Sequence, residues 1–504
     1  MLASVLSASL LGVVGRPVTV EVHQSSGLPS FTVVGLPDTA CREARDRVRA
    51  AVMSTGCEWP PRRITVNLAP SGVRKIGSSL DLAMAVGVLI ADEKVPAEAV
   101  QGLAFVGELG LDGSVRPVHG ALPLVDALGG RVAVVAPGNV AEARLVGRHE
   151  VRAVNTLEEL CEALRCEAPW PDVVTPVEPD VQVPSSDLAD VRGHRHARFA
   201  LEVAAAGDHH LLLIGPPGAG KTMLAARLPG LLGELAHDEA LEATKIHSAA
   251  GECLPKGTLV RQPPFRAPHH SASLVSVIGG GHATMRPGEI SLAHRGVLFL
   301  DEMGEFPAAV LDSLRQPLEE GVVRVSRAQF SVEYPARFLL VGAMNPCPCG
   351  FFGGIRCTCT AAGILRYGRR LSGPLLDRFD LRVAVAPPET STLFAAGGGE
   401  GSASVASRVA AARARARRRG VTANSRLSYA DLERLTKLEP RAQSLLERAV
   451  SEQRLSPRGL RRVRAVALTI DDLQGGSGTL SPATVAQALA LRADLWPRAV
   501  PVMR

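Results

Sequence analysis

The chain has 504 residues, 46% hydrophobic and 21% charged, which excludes a disordered protein and allows two to four domains with their own cores. A net charge of +6 biases it toward polyanions such as nucleic acid, yet aromatics at 4% leave little material for stacking on bases. No apolar run approaches the roughly 20 residues that span a bilayer, and Leu2–Val14 lacks the basic flank and cleavage site of a leader. Nine cysteines, four of them clustered, suit a reducing compartment better than a disulfide framework, so a cytoplasmic protein is expected.

Residues 1 to about 165 alternate β-rich runs with helical ones. Val18–Val22, Phe31–Val34 and Ile64–Leu68 read as strands, and Ala40–Met53 as an amphipathic helix. Leu80–Ala91 is an apolar helix too short to cross a membrane. Asp112-Gly113 marks the turn of a hairpin within Gly107–Gly113. From Pro169 to Ser186 the chain is rich in Pro, Val and Asp, the composition of an extended linker. A second domain opens at Asp187–His194 with a helix over Ala197–Ala206.

The apolar run His210–Ile214 then enters Gly215, Pro216, Pro217, Gly218, Ala219, Gly220, Lys221 and Thr222, and Met223–Leu228 continues as a helix. This is the phosphate-loop pattern in its required strand-to-helix setting. Glycines let backbone amides and the helix N-terminus face an anion. Lys221 can reach the β- and γ-phosphates and the Thr222 hydroxyl can ligate Mg²⁺, so ATP and Mg²⁺ are the expected cofactors. A second apolar run ends in Asp301-Glu302, where Asp301 would hold Mg²⁺ and Glu302 would polarise the attacking water. A third, Phe338–Met344, ends at Asn345.

Next come Cys347, Cys349, Cys357 and Cys359, two C-x-C pairs that can bring four thiolates to one zinc, although zinc sites usually use wider pairs; free thiols are the alternative. Phe394–Ser404 reads as a flexible linker. Beyond it Arg408, Arg413, Arg415, Arg417, Arg418 and Arg419 ride on one helix, as a solvated face or a track for a phosphate backbone. Apolar spacing through Leu427–Val450, Gly459–Leu473 and Thr484–Ala490 predicts a helical bundle.

Between the phosphate loop and Asp301 lie Phe265–Ser273, with His269 and His270, then Gly279–His282 and Pro287–His294. That stretch matches the pattern of the magnesium-chelatase-like proteins nearly residue for residue, and the chain resembles the ComM/YifB family of AAA+ ATPases throughout its length. The resemblance implies an α/β fold: a P-loop AAA+ core at 187–390 with a helical C-terminal lid at 408–504, and an α+β Lon-protease-like domain at 1–168. Residues 169–186 and 391–407 would be linkers.

It also implies Asn345 as a sensor of the hydrolytic water, and Arg458, after Pro457, as a second sensor reaching the γ-phosphate from the lid. Arg378, between Asp377 and Asp380, would be an arginine finger acting on a neighbour's nucleotide, or else is ion-paired. A finger implies a ring, expected to be a homohexamer. The Gly279–His282 loop is a turn or an insertion into a ring's pore, where nearby Arg286 could contact DNA phosphates, while His269 and His270 read as structural rather than metal ligands.

In Lon-type proteases a Ser nucleophile works with a Lys. Here Ser79 occupies the nucleophile position, but the base position falls near Leu122 and no lysine lies between Lys94 and Lys221. A docking or assembly domain without peptidase activity is expected. The implied activity is an ATP-driven DNA motor, a branch-migration helicase in recombination during natural transformation, on single-stranded or branched DNA. The alternative is a magnesium-chelatase-type subunit or another remodelling ATPase that does not act on DNA.

Overall fold

Leu2–Leu11 and Val14–Ser25 pair as a long antiparallel hairpin at the centre of a seven-stranded sheet. Inward residues on the first strand include Ser7 and Ser9, whose hydroxyls donate to the Phe105 and Ile76 carbonyls at 2.6 and 3.2 Å. These buried serines break the apolar alternation that marks a half-buried strand. Arg63–Ala69 and Ser30–Val34 extend the sheet on one side; Leu103–Val106, Val132–Val135 and Val151–Ala153 add parallel strands on the other. Every residue of the helix Asp81–Ala91 is buried, because it packs between this sheet and the helix Thr39–Ser54. The expected hairpin forms, Glu108–Leu109 against Val115–Arg116, with Gly113 at φ +83°.

The computed structural model describes residues 1–172, 186–252, 254, 257–281, 285–327, 330–352, 354–388 and 399–492. Most of the expected linker over 169–186, residues 391–398 of the second linker and His282 fall outside the described residues. Among the described residues, no helix is long and apolar enough to cross a membrane.

A second sheet is wholly parallel. Its order is Phe265–Arg266, Val297–Leu300, Leu339–Met344, Leu211–Ile214 and Leu381–Ala384. The inner strands are continuous apolar runs, fully buried, as expected of parallel strands covered on both faces. The strand ending at Asn345 therefore lies between the phosphate-loop strand and the one ending at Asp301. The two units meet where helix Ala121–Asp126 packs on helix His237–Ala250, with Lys245 Nζ 2.7 Å from Asp126 and the Gly120 amide donating to Ser248.

The C-terminal helices are Ser402–Arg418, Tyr429–Leu435, Pro440–Ser451, Pro457–Leu473 and Pro482–Ala490. Ser402–Arg418 starts six residues before the expected boundary, so 402–407 are helix rather than linker. The stretch that reads as one run, Leu427–Val450, is two helices, because Lys437–Leu438 pairs with Thr479–Leu480 and Pro440 begins a new helix.

Candidate nucleotide site

Strands of a parallel sheet present their following loops on one edge, and three of the predicted motifs meet there. Gly218 and Gly220 take φ of +76° and +79°, a region open to glycine at little cost, and so curl Gly215–Thr222 over the end of its strand. Lys221 opens the next helix. Its ammonium donates to the Gly215 and Pro216 carbonyls at 2.6 and 2.9 Å and to Asn345 Oδ1 at 3.1 Å. Burial lowers the Lys221 pKa, while Asp301 and Glu302 pull the other way, which places both carboxylates in its field.

Thr222 Oγ1 donates to Asp301 Oδ2 at 2.6 Å. A hydroxyl and a carboxylate that touch can share one hard cation, so this pair fits the Mg²⁺ expected of it. Glu302 follows in the left-handed region at φ 48°, strain of the kind that gathers at functional sites. Its carboxylate lies 3.3 Å from His270 Nδ1. In sequence His270 reads as structural; a Glu302 partner is invisible there because 32 residues separate them.

The His269 and His270 rings meet at a tilt of 34° with centroids 4.1 Å apart, and His269 Nδ1 meets Ser271 Oγ at 2.7 Å. Arg266 grips Glu289 through two bonds of 2.7 and 2.9 Å, and His294 meets Glu242 at 2.9 Å, so much of this motif braces the edge of the sheet. Arg286 is exposed, in a short strand paired with Gly279–Gly280.

Arg378 and Arg458 are elsewhere. Both line a cavity of about 520 Å³ together with His210, Phe338, Asp380 and Arg462. His210, Phe338 and Asp380 precede their strands, whereas Gly215, Asn345 and Ala384 follow or end them. This cavity is therefore at the opposite edge of the sheet, roughly 13 Å or more away along four-residue strands. Arg458 does not reach its own chain's nucleotide site from a lid, as expected of it. Asp380 draws Arg462 into a buried ion pair and Arg492 donates to the Asp380 carbonyl at 3.1 Å, so the Arg458 helix is pinned at that edge. Arg378 is ion-paired, but with Glu319 rather than its acidic neighbours, and also donates to the Pro374 carbonyl at 2.8 Å.

The arginine run is not an open track either. Arg408 pairs with Glu202 and Glu400, Arg413 donates to the Ala205 and Leu232 carbonyls, Arg415 to the Asp472 carbonyl, and Arg419 to the Asp472 carboxylate. These guanidiniums bind the helix to its neighbours; Arg417 and Arg418 are exposed.

The four cysteines form one cluster, with their sulfurs all within 4.8 Å of one another. Ser79 is buried and donates to the Ala8 carbonyl at 3.0 Å, and Leu122 is buried in helix Ala121–Asp126.

The chain matches the family models "Magnesium chelatase, subunit ChlI" over 187–393, "Subunit ChlI of Mg-chelatase" over 20–137 and "Magnesium chelatase, subunit ChlI C-terminal" over 399–492. It is 46% identical over 500 residues to an uncharacterized protein of Mycobacterium tuberculosis, covering 97% of this chain and 98% of that one. Competence protein ComM of Haemophilus influenzae is 43% identical over 500 residues, covering 98% and 97%. Uncharacterized protein YifB of Escherichia coli is 44% identical over 481 residues, covering 94% and 93%.

Proposed function

This chain belongs to the ComM/YifB family of magnesium-chelatase-like AAA+ ATPases, and from that premise we propose that it is an ATP-hydrolysing ring motor that moves DNA. One observation carries the reading. Lys221, Thr222, Asn345 and Asp301 touch at one edge of the parallel sheet, while Arg378 and Arg458 stand at the other.

Gly215–Thr222 cradles the triphosphate, with Lys221 turning from loop carbonyls to the β- and γ-oxygens. Thr222 and Asp301 would hold Mg²⁺, which when bound would neutralise charge on the phosphates. Asn345 positions the attacking water and Glu302 accepts its proton. Arg378 and Arg458 lie too far from their own chain's phosphate loop, so they complete the site of the next protomer, and a closed ring, a hexamer in this reading, follows from that division.

DNA as the substrate is supported by the net charge of +6, the exposed Arg286 at the foot of the Gly279–Gly281 loop, and the name of the Haemophilus relative as a competence protein. In this reading the motor drives branch migration of recombination intermediates during natural transformation. The N-terminal unit is a Lon-protease-like domain without peptidase chemistry. Ser79 Oγ is engaged by a backbone carbonyl and the base position holds Leu122.

The names of the family models favour a second reading, an ATPase subunit serving Mg²⁺ insertion into a porphyrin. ATP turnover measured with and without forked DNA, at two salt concentrations, separates the two. A motor is stimulated by DNA, less so at high salt; no DNA effect, with stimulation by a chelatase partner, supports the second. The Glu302→Gln variant is expected to bind ATP normally and lose about 10²–10⁴-fold in turnover, the usual worth of a general base. Undiminished turnover overturns the role of Glu302.

A further inference from the structure

The segment after Asn345 leaves the sheet, turns back, and enters helix Ala361–Gly368 behind a Thr360 cap. Cys347 and Cys349 stand at its start, Cys357 and Cys359 at its end. Sulfur separations are 3.4 Å for Cys347–Cys349, 3.9 Å for Cys347–Cys357 and 3.7 Å for Cys349–Cys357. Four thiolates around one tetrahedral zinc at about 2.3 Å sit roughly 3.8 Å apart, the spacing seen here. All four are free cysteines, and none of the sulfurs is at bonding distance to another. The C-x-C spacing, tighter than most zinc pairs, is compensated by a turn in which the Gly350 amide donates to the Cys347 carbonyl at 2.9 Å and the Cys349 amide points at Cys359 Sγ at 3.4 Å. A sulfur that accepts an amide bond is a typical partner arrangement around a thiolate ligand.

The cluster abuts the nucleotide site. Gly350 has φ +83°, and a Cβ there would lie 2.4 Å from Cδ of Pro217, inside the phosphate loop. Cys347 is fully buried two residues past Asn345, whose side chain holds Lys221. The cysteine turn thus presses on the phosphate loop from one side and continues the Asn345 strand on the other.

From this placement we infer that Cys347, Cys349, Cys357 and Cys359 hold one structural zinc ion, and that this metal fixes the turn backing Pro217 and Asn345 so that the phosphate loop is shaped for nucleotide. The second half of the inference rests on the nucleotide-site reading above. Loss of the metal frees the turn, and the loop loses the wall behind Pro217.

The test uses the full chain purified under reducing conditions. Metal analysis should find about one zinc per chain. Cys359→Ser should lose it, whereas Cys359→His, which keeps a ligand, should retain it; Cys166→Ser, at an exposed cysteine outside the cluster, should also retain it. Binding of a fluorescent ATP analogue should weaken about tenfold in Cys359→Ser and recover in Cys359→His. Lys221→Ala should lose nucleotide binding yet keep its zinc, which distinguishes failure of the nucleotide site from failure of the metal site. Absence of zinc from the wild-type chain, before and after incubation with zinc and a reductant, overturns the metal site. Zinc present but analogue affinity unchanged in a folded, zinc-free Cys359→Ser chain overturns the coupling.

Discussion

Lys221, Thr222, Asp301 and Glu302 are named by their pattern alone, and the contact of Thr222 with Asp301 at 2.6 Å follows the logic of that pattern. His270 is not. Its ring stands 3.3 Å from Glu302 Oε2, and an exposed carboxylate–imidazole contact of this kind is worth up to about 1 kcal/mol. A carboxylate engaged by an imidazole is less free to accept a proton from water, the role proposed for Glu302. His270→Ala is therefore expected to raise basal ATP turnover by up to about fivefold, 1 kcal/mol on a barrier, with KM unchanged. Steady-state kinetics without DNA reads this directly; an unchanged or lower kcat shows that His270 does not restrain Glu302.

At the scale of elements, the helix Pro457–Leu473 is fastened to the sheet through Asp380. Arg462 pairs with it, His209 Nδ1 lies 3.4 Å away, and His209 Nε2 meets Thr469 Oγ1 of the same helix at 2.8 Å. Burial alone raises the Asp380 pKa, but Arg462 and the two histidines outweigh it, so the carboxyl stays well below its ordinary 3.8. A depressed carboxylate contributes stability that is complete above its unfolded pKa near 3.8 and is lost as pH falls through the folded value. Asp380→Ala strands a buried guanidinium, a loss of about 3–5 kcal/mol. In a chain of this size, whose unfolding entropy is about 1 kcal/mol/K, that is expected to lower Tm by about 3–5 °C at pH 7, with the gap to wild type shrinking below pH 4. Thermal melts at pH 7 and pH 3.5 check both parts; equal Tm values at pH 7 rule the clamp out.

For the whole molecule, the decisive feature is that Lys221, Thr222, Asp301 and Asn345 gather at one edge of the parallel sheet while Arg378 and Arg458 stand at the other, and the proposed function makes these one catalytic set completed across an interface. Lys221→Ala and Arg378→Ala should each abolish turnover alone. Mixed in equal amounts and allowed to exchange, about a quarter of the interfaces pair an intact phosphate loop with an intact Arg378, and turnover should return to a comparable fraction. No recovery, with exchange verified by size and subunit labelling, means Arg378 does not act across an interface. The same experiment with Arg458→Ala asks the question of the second arginine.

Local chemistry determined much of this protein before any fold was known. A phosphate loop needs its glycines, lysine and threonine within eight residues, and the apolar runs that carry Asp301 and Asn345 are continuous because parallel strands are buried on both faces. Strand order, and with it the placement of the Asn345 strand beside the phosphate loop, came only from tertiary packing. So did the pairing of His270 with Glu302, the enclosure of Arg413 and Arg419, and the position of Arg458 opposite its own chain's site. These depend on contacts between residues far apart in the chain. A buried charge such as Asp380 selects its partners by where the folded backbone brings them, which no spacing along the sequence records.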